Sequence, residues 1–314
     1  MKLNKIKLAL GFVTAAAMAM PIVASAAADQ EKAMKNSANW AHPRGQHDNQ
    51  AYSKLTQVNK GNVKNLKAAW TLSTGVNRGH EGSPLVIGNM LYVHTAFPNN
   101  VYALDLNNNQ KVVWSYFPKQ DPSVQAVLCC DNVNRGLGFG NGKIFLQQND
   151  GNLVALNAKT GAKVWSTSNV DPKVGATNTN APHVINDKVL TGCSGAEFGV
   201  RCFIAAYNIE DGSLAWKAMS TGPDSEVLIG ADFNKENPLY SALSVYEDVN
   251  GGNTEGGSFK RIPNDQLQGG VADLGLKTWL KPQAVKDGWQ HGGGSVWGWW
   301  PYDAKTNLVY YGTG

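Results

Sequence analysis

The sequence predicts an all-β protein assembled from repeated four-stranded units. Three observations carry that reading. Trp114, Trp165 and Trp216 recur at a constant 51-residue spacing. Each ends a similar phrase: Ala155-Leu156-Asn157 leads through Thr160-Gly161 to Trp165, and Ala206-Tyr207-Asn208 leads through Asp211-Gly212 to Trp216. Composition agrees, with 34 glycines, 10 tryptophans and only 17% charged residues in 314, the mixture expected of short strands, tight turns and large aromatic packing units.

The elements follow in chain order. Residues 1–26 read as a secretory signal: Lys2, Lys5 and Lys7 precede a mostly apolar run over 8–23, and Ala24-Ser25-Ala26 is a small-residue cleavage site. The mature chain, residues 27–314, then begins near Ala27 and is expected to be periplasmic. Removing the signal takes three lysines and no acid, so the formal +4 falls close to neutral and no basic stripe points to nucleic acid. No later run reaches the 18 or so apolar residues of a membrane span.

Trp70, in Leu66-Lys67-Ala68-Ala69-Trp70, is expected to end an earlier, incomplete unit. Val86-Ile87-Gly88-Asn89-Met90-Leu91 then gives strand, turn, strand. Gly140-Asn141-Gly142-Lys143-Ile144 and Val184-Ile185-Asn186-Asp187-Lys188-Val189 repeat it, with β-formers flanking Asn, Asp and Gly turns. Each phrase ending in Trp adds a second hairpin. In the first unit Ala103-Leu104-Asp105 reaches Trp114 with one extra residue, and Asn109 stands where the turn glycine should be, a tolerable substitute at positive φ. Four strands per unit, repeated radially, make a β-propeller, with each Trp packed on the neighbouring blade. A β-solenoid or sandwich is the alternative. Residues 241–290 break the rhythm, and Asn250-Gly251-Gly252-Asn253, Glu255-Gly256-Gly257 and Gln268-Gly269-Gly270 read as a long loop excursion, with order resuming at 273–279. The chain ends on a strand-like stretch, which reads as architecture cut short.

Two features suggest chemistry. Cys129 and Cys130 are adjacent in an exported chain, where thiols are expected to oxidise. Consecutive Cα atoms lie about 3.8 Å apart, below the usual disulfide range, so such a pair strains its backbone, and strain of this kind gathers at functional sites. Two unrelated buried thiols are the alternative. Cys193 and Cys202 flank a short loop and read either as a second disulfide pinning it or as two small buried apolar residues. The six histidines have no metal-ligand spacing, Cys-x-x-Cys-His is absent, and the glycines at 136, 138, 140 and 142 make no dinucleotide fingerprint.

The Trp-closed repeats, the Cys pair and the phrases Gly79-His80-Glu81-Gly82-Ser83-Pro84 and Gly292-Gly293-Gly294-Ser295-Val296-Trp297-Gly298-Trp299 together resemble the quinoprotein alcohol dehydrogenases, and within them the methanol dehydrogenase large subunits. The resemblance implies an eight-bladed propeller, of which about half is present, holding pyrroloquinoline quinone (PQQ) and a metal ion on its axis. It implies that Glu81 lies beside the quinone, that a Cys129–Cys130 disulfide lies against one face of it, and that Trp297 stacks on the other. Arg135 would pair with a PQQ carboxylate through its planar fork. Thr179, Ser194 and Ser295 would offer hydroxyls, and Gly195-Ala196-Glu197 would carry the metal ligand Glu197. Taken singly, Trp297 equally suits blade packing, Glu197 a solvated charge and Arg135 a structural ion pair.

The implied activity is oxidation of methanol or short primary alcohols to aldehydes, by hydride transfer to metal-activated PQQ, with electrons passed to a cytochrome c and the enzyme a homodimer. The metal would be calcium or a lanthanide, with a lean to the lanthanide-dependent branch. The family's catalytic Asp, and an Asn metal ligand following Gly-Thr-Gly, would lie beyond Gly314, so residues 1–314 alone are expected to be unstable and inactive. A non-enzymatic envelope scaffold sharing the Trp repeat, or a quinoprotein for larger alcohols or sugars, are the alternative readings.

Overall fold

The computed structural model describes residues 28–128, 130–222, 245–248, 259–262, 290 and 292–314. The expected signal, Cys129 and residues 273–279 lie outside them. Helix α1 (Ala28–Lys35) opens the described chain. Twelve strands follow: β1 (Leu85–Ile87), β2 (Met90–His94), β3 (Val101–Asp105), β4 (Lys111–Tyr116), β5 (Leu137–Gly140), β6 (Lys143–Gln147), β7 (Asn152–Asn157), β8 (Lys163–Ser168), β9 (His183–Ile185), β10 (Lys188–Thr191), β11 (Phe203–Asn208) and β12 (Leu214–Met219). They form three four-stranded antiparallel sheets, each with its strands in sequence order. These are the blades that the repeat predicts.

Consecutive sheets pack face to face. Ile144, Leu146, Val154 and Leu156 of the second sheet join Leu85, Tyr92, Val101 and Trp114 of the first in one core. The alternate residues Phe145, Leu153 and Ala155 join Val184, Val189, Phe203 and Tyr207 of the third in another. Both faces of the middle sheet are buried, which is why β6 is buried along its whole length. A third core sets Ile185, Leu190, Ile204 and Ala206 against Val296 and Trp300.

The tryptophans join one blade to the next. Trp114 Nε1 donates to the Ala158 carbonyl at 3.0 Å, and Trp165 Nε1 to the Ile209 carbonyl at 3.2 Å. The rings lie on glycines of the following blade: a Cβ on Gly161 would stand 2.5 Å from Trp114, and one on Gly212 2.6 Å from Trp165. Both glycines also have φ of +72°. In the first unit Asn109 takes φ 49° and the extra residue, Gln110, φ 54°, so Asn does replace the turn glycine there. Trp114 and Trp165 are 8% and 9% exposed, whereas Trp216 is 44% exposed.

A feature that the repeat did not announce recurs beside each Trp. Trp114, Trp165 and Trp216 pair with Ala103, Ala155 and Ala206, and the register shifts immediately afterwards in all three sheets. The shift leaves Val113, Val164 and Ala215 without a strand partner. Bulges of this kind raise the local twist and re-aim a side chain. They account for the exposure of Val113 and Val164.

Two expectations need correction. Leu66–Trp70 belongs to no strand among the described residues, and Leu66 and Trp70 are exposed. The 241–290 stretch is not wholly loop: β13 (Val245–Asp248) and β14 (Phe259–Ile262) pair antiparallel within it. Each carries two β-formers, and two of the three Gly-Gly pairs read as irregular, Gly251-Gly252 and Gly256-Gly257, fall between them. A last hairpin, β15 (Tyr302–Asp303) and β16 (Leu308–Val309), closes the described chain.

Candidate functional site

Arg135 lies just before β5, where its main chain is bonded at both ends. Its N–H donates to the Thr179 carbonyl at 3.1 Å, and its own carbonyl accepts from Trp299 Nε1 at 3.1 Å. The preceding carbonyl, of Asn134, accepts from His94 Nε2 at 3.1 Å, which places the ring hydrogen on that nitrogen. The Arg135 side chain is nearly buried. Nη1 donates to Thr179 O at 3.3 Å, Nη2 pairs with Glu81 Oε2 at 3.1 Å, and the guanidinium carbon stands 4.8 Å from the centre of the Trp297 ring. Burial pulls its pKa down while the Glu81 carboxylate pulls it up, and an arginine stays cationic under both.

Glu81 reaches Arg135 because Gly82 lies against the buried His94 ring. A Cβ there would stand 1.9 Å from the ring. Beyond Glu81, Gly79 N–H donates to Asp131 at 3.4 Å and Arg78 pairs with the same carboxylate at 3.8 Å. Backbone bonds from Asn132 and Gly79, then Arg78, hold the Asp131 carboxyl below the usual range. Cys130 and Asp131 have φ of 62° and 69°, two consecutive non-glycine residues in the left-handed region. The left-handed region is uncommon for residues other than glycine, and the Cys129–Cys130 link itself lies outside the described residues. Cys130 is disulfide-bonded.

The hydroxyls come from two strands of chain bridged at Thr177 and Ser194. Thr179 Oγ1 and Ser194 Oγ are buried and 2.7 Å apart. Past Ser194 the chain turns through Gly195, at φ 119°, into a 3₁₀ turn over Ala196–Phe198 that presents Glu197 to solvent. Cys193 and Cys202 close this loop with a disulfide, Cα–Cα 5.5 Å. The loop in turn seats the Trp297 segment. Val296 N–H donates to Cys193 O at 2.8 Å, Cys202 N–H to Gly293 O at 3.3 Å, and Ala196 N–H to Ser295 Oγ at 3.4 Å. Close approach explains the glycines here, since a Cβ on Gly192 would lie 2.0 Å from the Val296 carbonyl.

Glu81, Arg135, Thr179, Ser194, Gly195, Ala196, Ser295 and Trp297 are thus joined in one constellation. Trp297 is 45% exposed, unlike the docked tryptophans of the blades. Cys129 lies outside the described residues. Sequence reasoning missed His94 and Trp299, which hold the Arg135 backbone; a hint was available in Gly82, whose missing side chain makes room for an imidazole.

The chemistry of this set suits a flat, anionic, carbonyl-rich ligand: an aromatic face, a cationic fork and hydroxyls, with the Glu81 carboxylate holding the fork. A metal fits less completely. No group of three His, Cys, Asp or Glu gathers among the described residues, so Glu197 supplies one hard oxygen rather than a full coordination shell.

Sequential four-stranded blades carrying an indole and a guanidinium at one end define a quinoprotein-type propeller. The chain belongs to the PQQ-dependent glucose/ethanol/alcohol dehydrogenase β-propeller family, whose model matches residues 40–237. It is 45% identical over 286 residues to methanol dehydrogenase (cytochrome c) subunit 1 of Methylorubrum extorquens, covering 89% of this chain and 40% of that one. It is 46% identical over 294 residues to the lanthanide-dependent methanol dehydrogenase of the same organism, covering 93% and 43%. A solved europium-containing methanol dehydrogenase superposes with a TM-score of 0.73 at 43% identity, covering 91% of this chain and 44% of that one. The chain therefore spans less than half the length of these relatives.

Proposed function

We propose that the protein to which these residues belong is a periplasmic, PQQ-dependent dehydrogenase of methanol or other short primary alcohols. The single observation that carries this reading is the Arg135 guanidinium, nearly buried, ion-paired to Glu81 and held over the exposed Trp297 ring. Trp297 would offer its open face as a platform for the quinone, Arg135 would fix a carboxylate, and the Thr179–Ser194 pair would donate to an oxygen at its rim. When bound, PQQ supplies the two-electron acceptor for alcohol oxidation. Glu197 would contribute one oxygen to a calcium or lanthanide ion, the remaining ligands and the catalytic base coming from outside residues 1–314. Relatives named for cytochrome c and for lanthanide dependence support a cytochrome acceptor and leave both ions open. Export is supported by the pattern of residues 2–26 and by the Cys193–Cys202 disulfide.

The test is reconstitution. The product of the complete gene, purified without cofactor, is expected to reduce an artificial dye with methanol only after PQQ and either calcium or a light lanthanide are added. Failure to take up PQQ, or dye reduction that ignores it, would sink the reading. Comparing the two ions under otherwise equal conditions separates the branches.

A further inference from the structure

Residues 297–300 present three indoles, and only two have a role so far. Trp297 faces the candidate site, and Trp300 is buried in the third core, stacked on His183 with ring centres 4.7 Å apart. Trp299 is half-buried. Its Nε1 donates to the Arg135 carbonyl at 3.1 Å, and the Arg44 guanidinium stands over its ring at 5.1 Å.

The position of this bond matters. The other groups at this backbone, Thr179 on the Arg135 N–H and His94 on the Asn134 carbonyl, lie far from Trp297 in sequence. Trp299 is two residues from Trp297 on the same stretch. Its N–H ties that stretch to the residue whose guanidinium must stand at a set height above the Trp297 ring. This hydrogen bond is the direct link between the two groups that would grip the ligand from different sides, beside the longer route through Thr179, Ser194 and Cys193. We propose that Trp299 is a positioning residue for Arg135 and Trp297, with Arg44 steadying its ring. This rests on the reading that Arg135 and Trp297 hold PQQ.

The physical grounds are general. A carbonyl in a nearly buried residue loses its partner if the indole N–H is removed, and the backbone there shifts or stays unsatisfied. Binding groups tolerate little displacement before affinity falls.

The experiment is a PQQ titration of the complete, cofactor-free protein, followed by quenching of tryptophan fluorescence. Trp299→Phe keeps an aromatic ring beneath Arg44 and deletes the N–H together with part of the indole. We expect PQQ affinity to fall roughly tenfold, the size of one such bond, with little change in melting temperature. In an Arg135→Lys background the same substitution should cost much less, because its effect runs through Arg135. Unchanged affinity, or an equal loss in both backgrounds, would overturn the proposal. Should Trp299→Phe fail to fold, Arg44→Ala serves instead, with a loss of about two- to threefold expected from one half-buried cation–π contact and no loss counting against the proposal. A wild-type protein that binds no PQQ would refute the underlying reading and this inference with it; wild-type binding matched by Trp299→Phe would refute this inference alone.

Discussion

Glycine carries much of the burden at the level of single residues, for two separable reasons. Gly142 has φ of +62° but open space around it, whereas Gly161 has φ of +72° and lies against Trp114. Gly142→Ala should cost only the left-handed penalty, about 1 kcal/mol. Gly161→Ala adds a steric collision with a docked indole and should cost about 2–4 kcal/mol in all. Denaturant melts of the two variants check the difference, and equal losses would mean that the Trp114 contact is unimportant. Gly161 was readable from the repeat. Gly82 and Gly192 were not, because the contacts that crowd them, with the His94 ring and with the Val296 carbonyl, recur at no fixed spacing in the chain.

At the scale of elements, the disulfide loop does more than display Glu197. Both of its cysteines exchange main-chain bonds with residues 293–296, so the loop is the seat of the Trp297 segment. Replacing Cys193 and Cys202 by Ala should lower stability by roughly 2–3 kcal/mol on the entropy of a loop this short. It should also weaken PQQ uptake, because the seat loosens. Thermal melts and a PQQ titration of the double variant report the two effects separately; a destabilised variant with unchanged uptake would show that the loop does not position the platform. The hairpins, their Asn and Gly turns and the Trp docking were legible in the sequence, since each leaves a local mark at a fixed spacing. The bulge before each Trp was not, because Val113, Val164 and Ala215 share no residue type that signals an unpaired position. The strands at 245–248 and 259–262 were hidden by the glycines that separate them.

Across the whole molecule, buried imidazoles tie distant parts of the chain together. His42 Nδ1 accepts from the Arg44 N–H, so its Nε2 hydrogen faces His183 Nδ1, 3.1 Å away. The pair joins the N-terminal segment to β9, and His183 stacks on Trp300. Burial pulls His42 well below the usual imidazole value, His183 to about 3 and His94 to about 4. These histidines favour the neutral form when folded, so the unfolded chain binds more protons below about 6.5. Their contribution is complete above that pH. It declines as pH falls toward about 4 for His94 and about 3 for His183, and flattens below. Each can contribute a slope of up to about 1.4 kcal/mol per pH unit. Melting temperatures between pH 7 and 4 should fall, and His94→Gln should flatten the fall; an unaltered slope would mean that His94 is not buried neutral. The joining of His42 to His183, and of His94 to the Asn134 carbonyl, could not be read from spacing, because it depends on how the sheets pack.

The two indole contacts that dock one blade on the next, those of Trp114 and Trp165, both point forward along the chain, and that gives assembly a timetable. Trp114 meets its acceptor 44 residues later, and Trp165 waits the same 44. A ribosome adding about 5–20 residues per second imposes a delay of roughly 2–9 s between making a ring and making the place where it rests. Throughout synthesis the youngest sheet is the one whose ring is still wet. A nascent chain of this kind carries a moving patch of exposed apolar surface, renewed with each sheet.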